Sequence, residues 1–374
     1  MNICLVGGIF DRPEAVRSKQ LVTPETVLLD GFREAGVRVH AVGHAGFQPS
    51  DDYDIVHVHH FGRAALKMAS SGCRAHTVFT GHNGMIATGR ERSRLRRYTF
   101  QYVVDRAEAV VALSRAEARY FAGVTRPDKI HTIPNGIPAD VFRAAGHPEK
   151  RRDKAGYDLL YVGQLIECKG VGVLLDALPR LRRRRDVRLR LVYHNAQLEP
   201  ALRRQAQALR IAGQVEFVGI RGPRELAEEY QRADVLVLPS FAECLPSVVT
   251  ESLLCGTPVV AAAVGGVPEQ IGPYGLTVAP GDSAALARAI DTVLAERPRW
   301  QATAELMRAY AARTFDPETM VARHLALYRG LIEGRTGPAA RRRQYTSTAR
   351  RIAGSIQAAR RRAAGPVRPS MRPR

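Results

Sequence analysis

The stretch DVLVLPSFAECLPSVVTESLLCGTPVVAAA, residues 234–263, joins two short apolar runs through a segment with the pattern of a helix. The runs at its ends are rich in valine, leucine and alanine, as buried parallel strands are. Between them, Pro246 fits the first turn of a helix and Gly256 fits its end. The order predicts a strand, a crossover helix and a second strand, which is the repeating unit of a doubly wound parallel sheet.

The same alternation recurs on both sides of this stretch and predicts an α/β protein with two doubly wound, Rossmann-like domains facing a cleft. Five strand-like runs lie within the first 114 residues, namely NICLVG, VRVHAV, DIVHVH, HTVFTG and AVVALS. Six more follow from Tyr157, namely DLLYVG, RLRLVY, VEFVG, DVLVLPS, PVVAA and GLTVAP. A chain of 374 residues exceeds one ordinary core and suits two domains. The predicted boundaries are a first domain over 1–146, a polar linker over 147–156, a second domain over 157–315, a helix over 316–334 that crosses back to the first domain, and an Arg-rich tail over 335–374.

Composition places the protein in the cytoplasm, with contact to the inner face of the membrane as an extension of that prediction. No window holds 18 consecutive apolar residues, so no transmembrane helix is predicted. The start, MNICLVGG, fits a first strand better than a secretory signal. The five cysteines have no CxxC spacing and suit a reducing compartment.

Two basic segments are candidates for contact with an anionic membrane. The tail carries twelve arginines and no acid, which leaves +8 of the formal net charge of +20 for the rest of the chain. It is interpreted as a disordered arm or as a membrane-surface helix, and nucleic-acid binding is not favoured because it has no aromatic platform. Residues 89–107 predict a basic helix with Leu95, Tyr98 and Tyr102 on one side, which is either a solvated face or a docking face for anionic headgroups.

The opening stretch also contains two glutamates, Glu243 in the loop before the helix and Glu251 about one turn inside it. A helix N-terminus favours anions, and carboxylates accept hydrogen bonds from hydroxyls. A ligand with both phosphate and vicinal hydroxyls would satisfy both kinds of group, so the segment predicts a sugar-nucleotide site. The alternative is that the acids are a helix cap and surface charge.

Several motifs stand in a fixed order around this pair. They are IPNGI (133–137), YVGQLIECKGVGVLLDAL (161–178), Glu243-x7-Glu251, Gly256-Thr257-Pro258-Val259-Val260 and GGVPEQI (265–271). The set resembles the retaining glycosyltransferases of the GT-B fold, the group 1 or family 4 type, over about residues 2–333. The resemblance implies transfer of a sugar from a UDP- or GDP-linked donor to an acceptor hydroxyl, with no metal and no cofactor.

The resemblance also implies roles for individual residues. Glu251 would hold the ribose hydroxyls, Glu243 the transferred sugar and Lys169 the phosphates. The backbone around four residues would meet the diphosphate or the sugar, namely Leu245, Pro246, Ser247 and Val248. His82, in FTGHNG, would contact the donor sugar or shape the reaction site.

Three further positions bear on the site. Gln164 stands where the family often has a phosphate-contacting arginine, which leaves more of the phosphate charge to Lys169. Gly7 and Gly8 follow the first strand, where glycine lets the backbone approach a ligand, although they form no GxGxxG motif. The run HVHH (57–60) places His57 and His59 on one face of a strand, but the sequence shows no third ligand at a suitable spacing, so no metal site is predicted.

Two other functions remain open from the sequence. The chain could be a non-catalytic relative that binds membrane or nucleic acid through its basic tail, and Gln164 leans that way. It could also be another GT-B enzyme, such as a sugar-nucleotide epimerase. Glu243, Glu251 and Lys169 together favour the transferase. For that reading the expected acceptor is a lipid-linked or cell-envelope glycan, with a small aglycone as the alternative.

Overall fold

A computed structural model describes residues 1–13, 23–143 and 156–334. The first domain is a six-stranded parallel sheet in the order β2-β1-β3-β4-β5-β6. Its strands are β1 Asn2–Val6, β2 Arg38–Val42, β3 Ile55–His59, β4 His76–Thr80, β5 Ala109–Ala112 and β6 Ile130–Thr132. The inner strands β1, β3 and β5 are almost entirely buried, as expected for a sheet with helices on both faces.

The second domain has the same plan. Its parallel sheet has the order β12-β11-β10-β7-β8-β9. The strands are β7 Tyr157–Val162, β8 Val187–Val192, β9 Val215–Gly219, β10 Val235–Leu238, β11 Val259–Ala262 and β12 Gly275–Val278. Two doubly wound sheets confirm the predicted fold class, and β10 and β11 pair directly, as the opening stretch indicated.

Helices follow most strands. In the first domain they are α1 Pro24–Glu34, α2 Arg63–Ser70, α3 Gly84–Ala87, α4 Arg94–Arg106 and α5 Arg115–Ala122. The next helix, α6 Ala139–Arg143, precedes the second sheet in sequence and packs on the second domain, with Phe142 in that domain's core. In the second they are α7 Val171–Ala177, α8 Glu199–Ala208, α9 Pro223–Arg232, α10 Ser247–Leu254, α11 Val267–Ile271, α12 Ser283–Ala295, α13 Arg297–Ala302 and α14 Ala304–Thr314, and α15 Pro317–Ile332 comes last. Within the described ranges, no helix is long and apolar enough to cross a membrane.

Two local predictions differ from the structure. Strand β6 was not predicted, because its three residues are too few to show a periodic pattern and none is fully buried. The basic helix predicted over 89–107 begins only at Arg94, where the Ser93 side chain accepts a hydrogen bond from the Arg96 N–H. Residues 147–155 of the predicted linker and the whole tail lie outside the described residues.

The last helix, α15, packs against the first domain although it follows the second in sequence. Its Val321 lies so close to Gly31 of α1 that a Cβ there would sit 2.4 Å from Val321 Cγ2. The rings of Phe32 and Tyr328 stack edge to face with centroids 5.7 Å apart. Val321 and Tyr328 of α15 thus pack closely against α1, and α15 is part of the first domain's core.

Candidate active site

The loops after β7 and β10 are in direct contact, and this contact positions Lys169. Gly170 has φ +66, and a Cβ at that position would lie 2.2 Å from Pro239 O, so only glycine fits there. The Phe241 N–H donates to Cys168 O at 2.8 Å. These contacts bring Lys169 Nζ to 2.7 Å from Glu243 Oε1. Both side chains are largely buried, so the pair is shielded from solvent.

Glu251 lies in the second turn of α10, where it is 8% exposed. The Tyr230 hydroxyl donates to its Oε2 at 2.7 Å. Burial raises the pKa of Glu251 to about 7, and the Tyr230 hydrogen bond acts against that rise. The carboxyl is therefore held in one orientation and titrates close to neutral pH.

Gln164 lies near the start of the loop after β7, beside His194. Its Nε2 is 3.3 Å from His194 Nε2, and the Tyr161 hydroxyl donates to its carbonyl oxygen at 2.7 Å. Burial lowers the pKa of His194, and the charges of Arg12 and Lys169 lower it further. Since Arg12 belongs to the first domain and Lys169 to the second, this part of the cleft is electropositive.

The two domains meet at the backbone of Glu243. Gly84, the first residue of α3, would place a Cβ within 2.9 Å of the Glu243 backbone. Gly265 has φ +54, and its Cβ would lie 1.9 Å from Glu243 O. Two glycines, one from each domain, therefore let the chain close tightly around this residue.

A second buried acid, Glu117, makes a hydrogen bond between the domains. Glu117 of α5 accepts a hydrogen bond from the Leu113 N–H at 2.7 Å, and the Cys244 thiol donates to its Oε1 at 3.4 Å. Burial raises the pKa of Glu117 to about 7, opposed by these two hydrogen bonds. Glu117, Glu243 and Cys244 line a cavity of about 330 Å³ at this junction.

His82 is the first domain's main contribution. It follows β4 with φ +44, a strained value for a residue with a side chain, and its Nε2 lies 3.0 Å from His59 Nδ1. Burial lowers the pKa of His82 well below its ordinary range and that of His59 to about 3. The imidazoles of His59 and His82 are therefore neutral at pH 7. Gly7 and Gly8 follow β1 nearby, against the side chains of Glu25 and His44.

Family models match both halves of the chain. A model described as glycosyl transferases group 1 matches residues 156–296, and one described as glycosyltransferase family 4 matches residues 44–141. D-inositol 3-phosphate glycosyltransferase 1 of Catenulispora acidiphila is 30% identical over 318 residues, which cover 76% of this chain and 74% of that protein.

The chain belongs to the group 1 glycosyltransferases.

Solved structures agree on the GT-B fold of this glycosyltransferase. The sucrose-phosphate synthase of Thermosynechococcus elongatus superimposes with a TM-score of 0.75 at 21% identity, covering 89% of this chain and 100% of that one. HepE of Anabaena, in complex with UDP and glucose, gives a TM-score of 0.70 at 20% identity, covering 87% and 99%. At these identities the likeness establishes the architecture.

The residues singled out from the glycosyltransferase sequence fall into two groups. Lys169, Glu243 and Glu251 lie along the carboxyl ends of β7 and β10 and the start of α10, together with Gln164 and the segment Leu245, Pro246, Ser247 and Val248. Leu245 is buried, whereas the other three residues of that segment are half-buried. His82, Gly7 and Gly8 lie at the carboxyl ends of the first sheet. This is the edge at which open α/β sheets bind ligands.

Sequence analysis of this glycosyltransferase missed several polar partners. Glu117 stands three residues after the cap Ser114, a spacing typical of an ordinary helix start, so only the interdomain contact distinguishes it. Tyr230 comes from α9 and Glu25 from α1, and neither lies near a motif. Glu25, His59 and His82 each supply a possible metal-ligand atom, and these three atoms lie within 4.8 Å of one another. Spacing along the chain did not reveal this group, because Glu25 and His82 are far from His59 in sequence.

Proposed function

We propose that this glycosyltransferase moves a sugar from a nucleoside diphosphate sugar, UDP- or GDP-linked, to an acceptor hydroxyl, with retention of anomeric configuration and without a metal. The observation that carries the proposal is the grouping of Lys169, Glu243 and Glu251 at one end of the second sheet, with Lys169 Nζ 2.7 Å from Glu243 Oε1. The complex of HepE with UDP and glucose supports a nucleotide-sugar donor of this kind.

Each group of the site has a chemical task in this reaction. Lys169 has three N–H donors, and its bond to Glu243 leaves others for the diphosphate. Glu251 Oε2 is occupied by Tyr230, which leaves Oε1 to accept from a ribose hydroxyl. The leaving diphosphate gains charge as the glycosidic bond breaks, and a fixed ammonium beside the start of α10 stabilises that charge without reorganising.

Retention follows from the proposed path of the acceptor. The acceptor hydroxyl attacks on the face from which the diphosphate leaves, and the leaving phosphate takes its proton. The enzyme contributes position and charge stabilisation. The tight approach of Gly84 to Glu243 supports a closed state that keeps water from the donor.

For the acceptor, we propose a lipid-linked or cell-envelope glycan reached at the cytoplasmic face of a membrane. Helix α4 supports this proposal because Leu95 and Tyr98 are 71% and 69% exposed on a helix that also carries exposed Arg94, Arg96 and Arg97. Apolar side chains between arginines suit an anionic bilayer surface. A second candidate is a soluble inositol phosphate, favoured by the name of the Catenulispora relative.

Thermal shift with UDP, GDP, ADP and TDP, on wild type and Lys169→Ala, tests the donor proposal. A ligand at about 100 times its dissociation constant stabilises the folded state by about 2.7 kcal/mol. We expect one nucleotide to raise the wild-type midpoint and to lose that effect in the variant. If the wild-type protein turns over no donor, a non-catalytic relative is favoured instead. If it converts the sugar nucleotide into a different one without any acceptor, an epimerase is favoured.

The acceptor proposal is tested by sedimentation with vesicles of phosphatidylglycerol or phosphatidylcholine. We expect binding to the anionic vesicles only, reduced in the double variant Leu95→Ser, Tyr98→Ser. The matched control is Ile220→Ser, which changes an exposed apolar residue of the second domain that is 64% exposed. Equal binding by wild type and the double variant, together with transfer to an inositol phosphate in solution, would favour the second candidate.

A further inference from the structure

Six histidine rings form a continuous series at the carboxyl end of the first sheet. Neighbouring ring centroids lie 6.2 Å apart for His44–His60, 4.5 Å for His60–His82, 5.3 Å for His82–His59, 4.3 Å for His59–His57 and 5.5 Å for His57–His324. The family resemblance implies a role in sugar transfer for only one of them, His82. The other five histidines therefore have no assigned role in the transfer reaction, although their ring nitrogens are potential metal ligands.

Three side chains of this region converge on one point. Glu25, His59 and His82 each offer a ligand atom, and these atoms all lie within 4.8 Å of one another. They come from separate elements, α1, the end of β3 and the loop after β4. Two atoms bound about 2.1 Å from one tetrahedral ion lie roughly 3.4 Å apart, which is close to the 3.0 Å between His59 Nδ1 and His82 Nε2. A small shift would allow all three to bind one ion.

The surroundings show features of a built site. His59 is 1% exposed, and its Nε2 has no hydrogen-bond partner among the described residues, so protein contacts do not fully satisfy this buried ring. His60 and His82 both have positive φ, at +65 and +44, and such strained backbone is often found at functional positions. Gly7 permits the approach of Glu25, because a Cβ there would lie 3.0 Å from Glu25 Cγ.

The partners of Glu25 and His59 hold them in place. The Glu25 carboxylate is 3% exposed, and its Oε1 lies 2.8 Å from His60 Nε2. The carbonyl oxygen of His59 lies 2.8 Å from His44 Nε2. Metal sites commonly have such outer contacts, which orient the ligating groups. His82 is only half-buried, which leaves an approach from the cleft.

We propose that Glu25, His59 and His82 bind one divalent transition-metal ion of the zinc type, and that the bound ion inhibits sugar transfer. Two imidazoles and a carboxylate suit Zn²⁺ and its neighbours, whereas Mg²⁺ and Ca²⁺ prefer oxygen ligands alone. Inhibition follows because the ion takes the His82 nitrogen at the cleft. The binding is independent of the proposed function, whereas the inhibition rests on that function and on the role at the donor sugar that the family resemblance implies for His82.

Calorimetric titration of the chelator-treated full chain with ZnCl₂ tests the binding. We expect one ion per chain, with affinity at least tenfold weaker in Glu25→Gln and in His59→Gln, and no comparable binding of MgCl₂. Glu25→Gln keeps the side-chain shape and serves where His59→Gln fails to fold. The control is His76→Ala, which removes a half-buried histidine 2.7 Å from Glu108 Oε2, a histidine–carboxylate pair outside the cluster. Unchanged affinity in both cluster variants, or its loss in His76→Ala, would overturn the site.

Substitution of CoCl₂ for ZnCl₂ adds a spectroscopic readout. Visible absorption bands of bound Co²⁺ should appear in wild type and His76→Ala and be lost in Glu25→Gln. Inhibition is measured separately, as donor turnover with and without ZnCl₂ followed by chelator. We expect reversible inhibition in wild type and at least tenfold less sensitivity in Glu25→Gln. Zinc that binds at the cluster without slowing turnover would overturn the inhibition alone, and absence of turnover with every donor would overturn the proposed function while the titration still decides the site.

Discussion

Lys169 and Glu243 form a partly buried ion pair on two loops of the second domain, and the bond between them positions the ammonium for the diphosphate. Removing one preorganised donor from such a site costs roughly 3–4 kcal/mol in the barrier. We therefore expect Lys169→Ala to lower kcat by about 10²- to 10³-fold. Initial rates of donor turnover measure this effect. Lys129→Ala is the control, because the Lys129 ammonium donates to the Asp105 carbonyl oxygen and is not part of the candidate site. A rise in KM alone, with kcat unchanged, would show that Lys169 binds the donor equally in the ground state and the transition state, and would contradict its role in the transition state.

Glu251 allows a prediction about pH. Its pKa is raised to about 7, so it is mainly protonated below that pH and accepts hydroxyl donors fully only above it. Affinity for a nucleotide sugar should therefore rise as pH increases from 6 to 8, by up to about tenfold per unit below the pKa, and then level off. A nucleotide sugar is the right probe because a terminal phosphate, as in UDP, itself ionises near pH 6.

Matched variants separate Glu251 from the other acid that titrates near pH 7. Glu251→Gln should bind weakly with a flat pH profile, whereas Glu117→Gln should keep the wild-type profile. In Tyr230→Phe the midpoint should move to higher pH, because the lost hydrogen bond favours the ionised carboxyl. A profile that flattens in Glu117→Gln and persists in Glu251→Gln would assign the titration to the interdomain acid instead.

At the scale of elements, the short helix α3 controls how closely the domains approach. Gly84 begins it, and a Cβ there would lie 2.8 Å from the nearest backbone atom of Glu243. Gly84→Ala should therefore hold the cleft slightly open and lower kcat by about tenfold to 100-fold, since small misplacements of reacting groups are costly. Donor turnover and nucleotide affinity are measured together, and affinity should change little.

The control for that prediction is Gly62→Ala. Gly62 precedes α2 with an extended φ of 175, and nothing lies within 4 Å of a Cβ there. Its kinetics should match wild type. If both alanine variants lose the same activity, the effect of Gly84→Ala reflects general destabilisation and the closure argument is wrong.

Elements also show what the sequence could predict. The strands were recognisable because most are short, continuous apolar runs, and α10 was bounded by Pro246 and Gly256. Glu243 and Glu251 were recognisable because they lie close together in sequence, one in the loop before α10 and the other in α10 itself. Tyr230, Glu117 and Glu25 were not, because the sheet topology, rather than spacing along the chain, brings them to the site. The three-residue β6 has too little pattern to detect.

At the scale of the whole molecule, the buried histidines link stability to pH. Burial is the main cause that lowers the pKa of His59 to about 3 and of His324 to about 4, and it lowers those of His57 and His82 as well. Each folded-state pKa lies below the unfolded value near 6.5, so the unfolded chain binds more protons below pH 6.5. Stability is therefore complete above that pH and is lost as pH falls. Glu117 and Glu251 act in the opposite sense between about pH 4.5 and 7.

His324 provides the cleanest test of this linkage. It is 2% exposed in α15, its Nδ1 lies 2.9 Å from Met320 O, and its Nε2 has no hydrogen-bond partner among the described residues. A histidine that stays neutral in the folded state costs about 2 kcal/mol between pH 6.5 and 5. His324→Leu should therefore flatten the fall of the thermal midpoint over that range, while the control variant His76→Leu, at a histidine that is 33% exposed, should not. Because both variants retain Glu117 and Glu251, a comparison of slopes cancels the opposing acids. Equal slopes in wild type and His324→Leu would show that His324 gains its proton without unfolding the first domain.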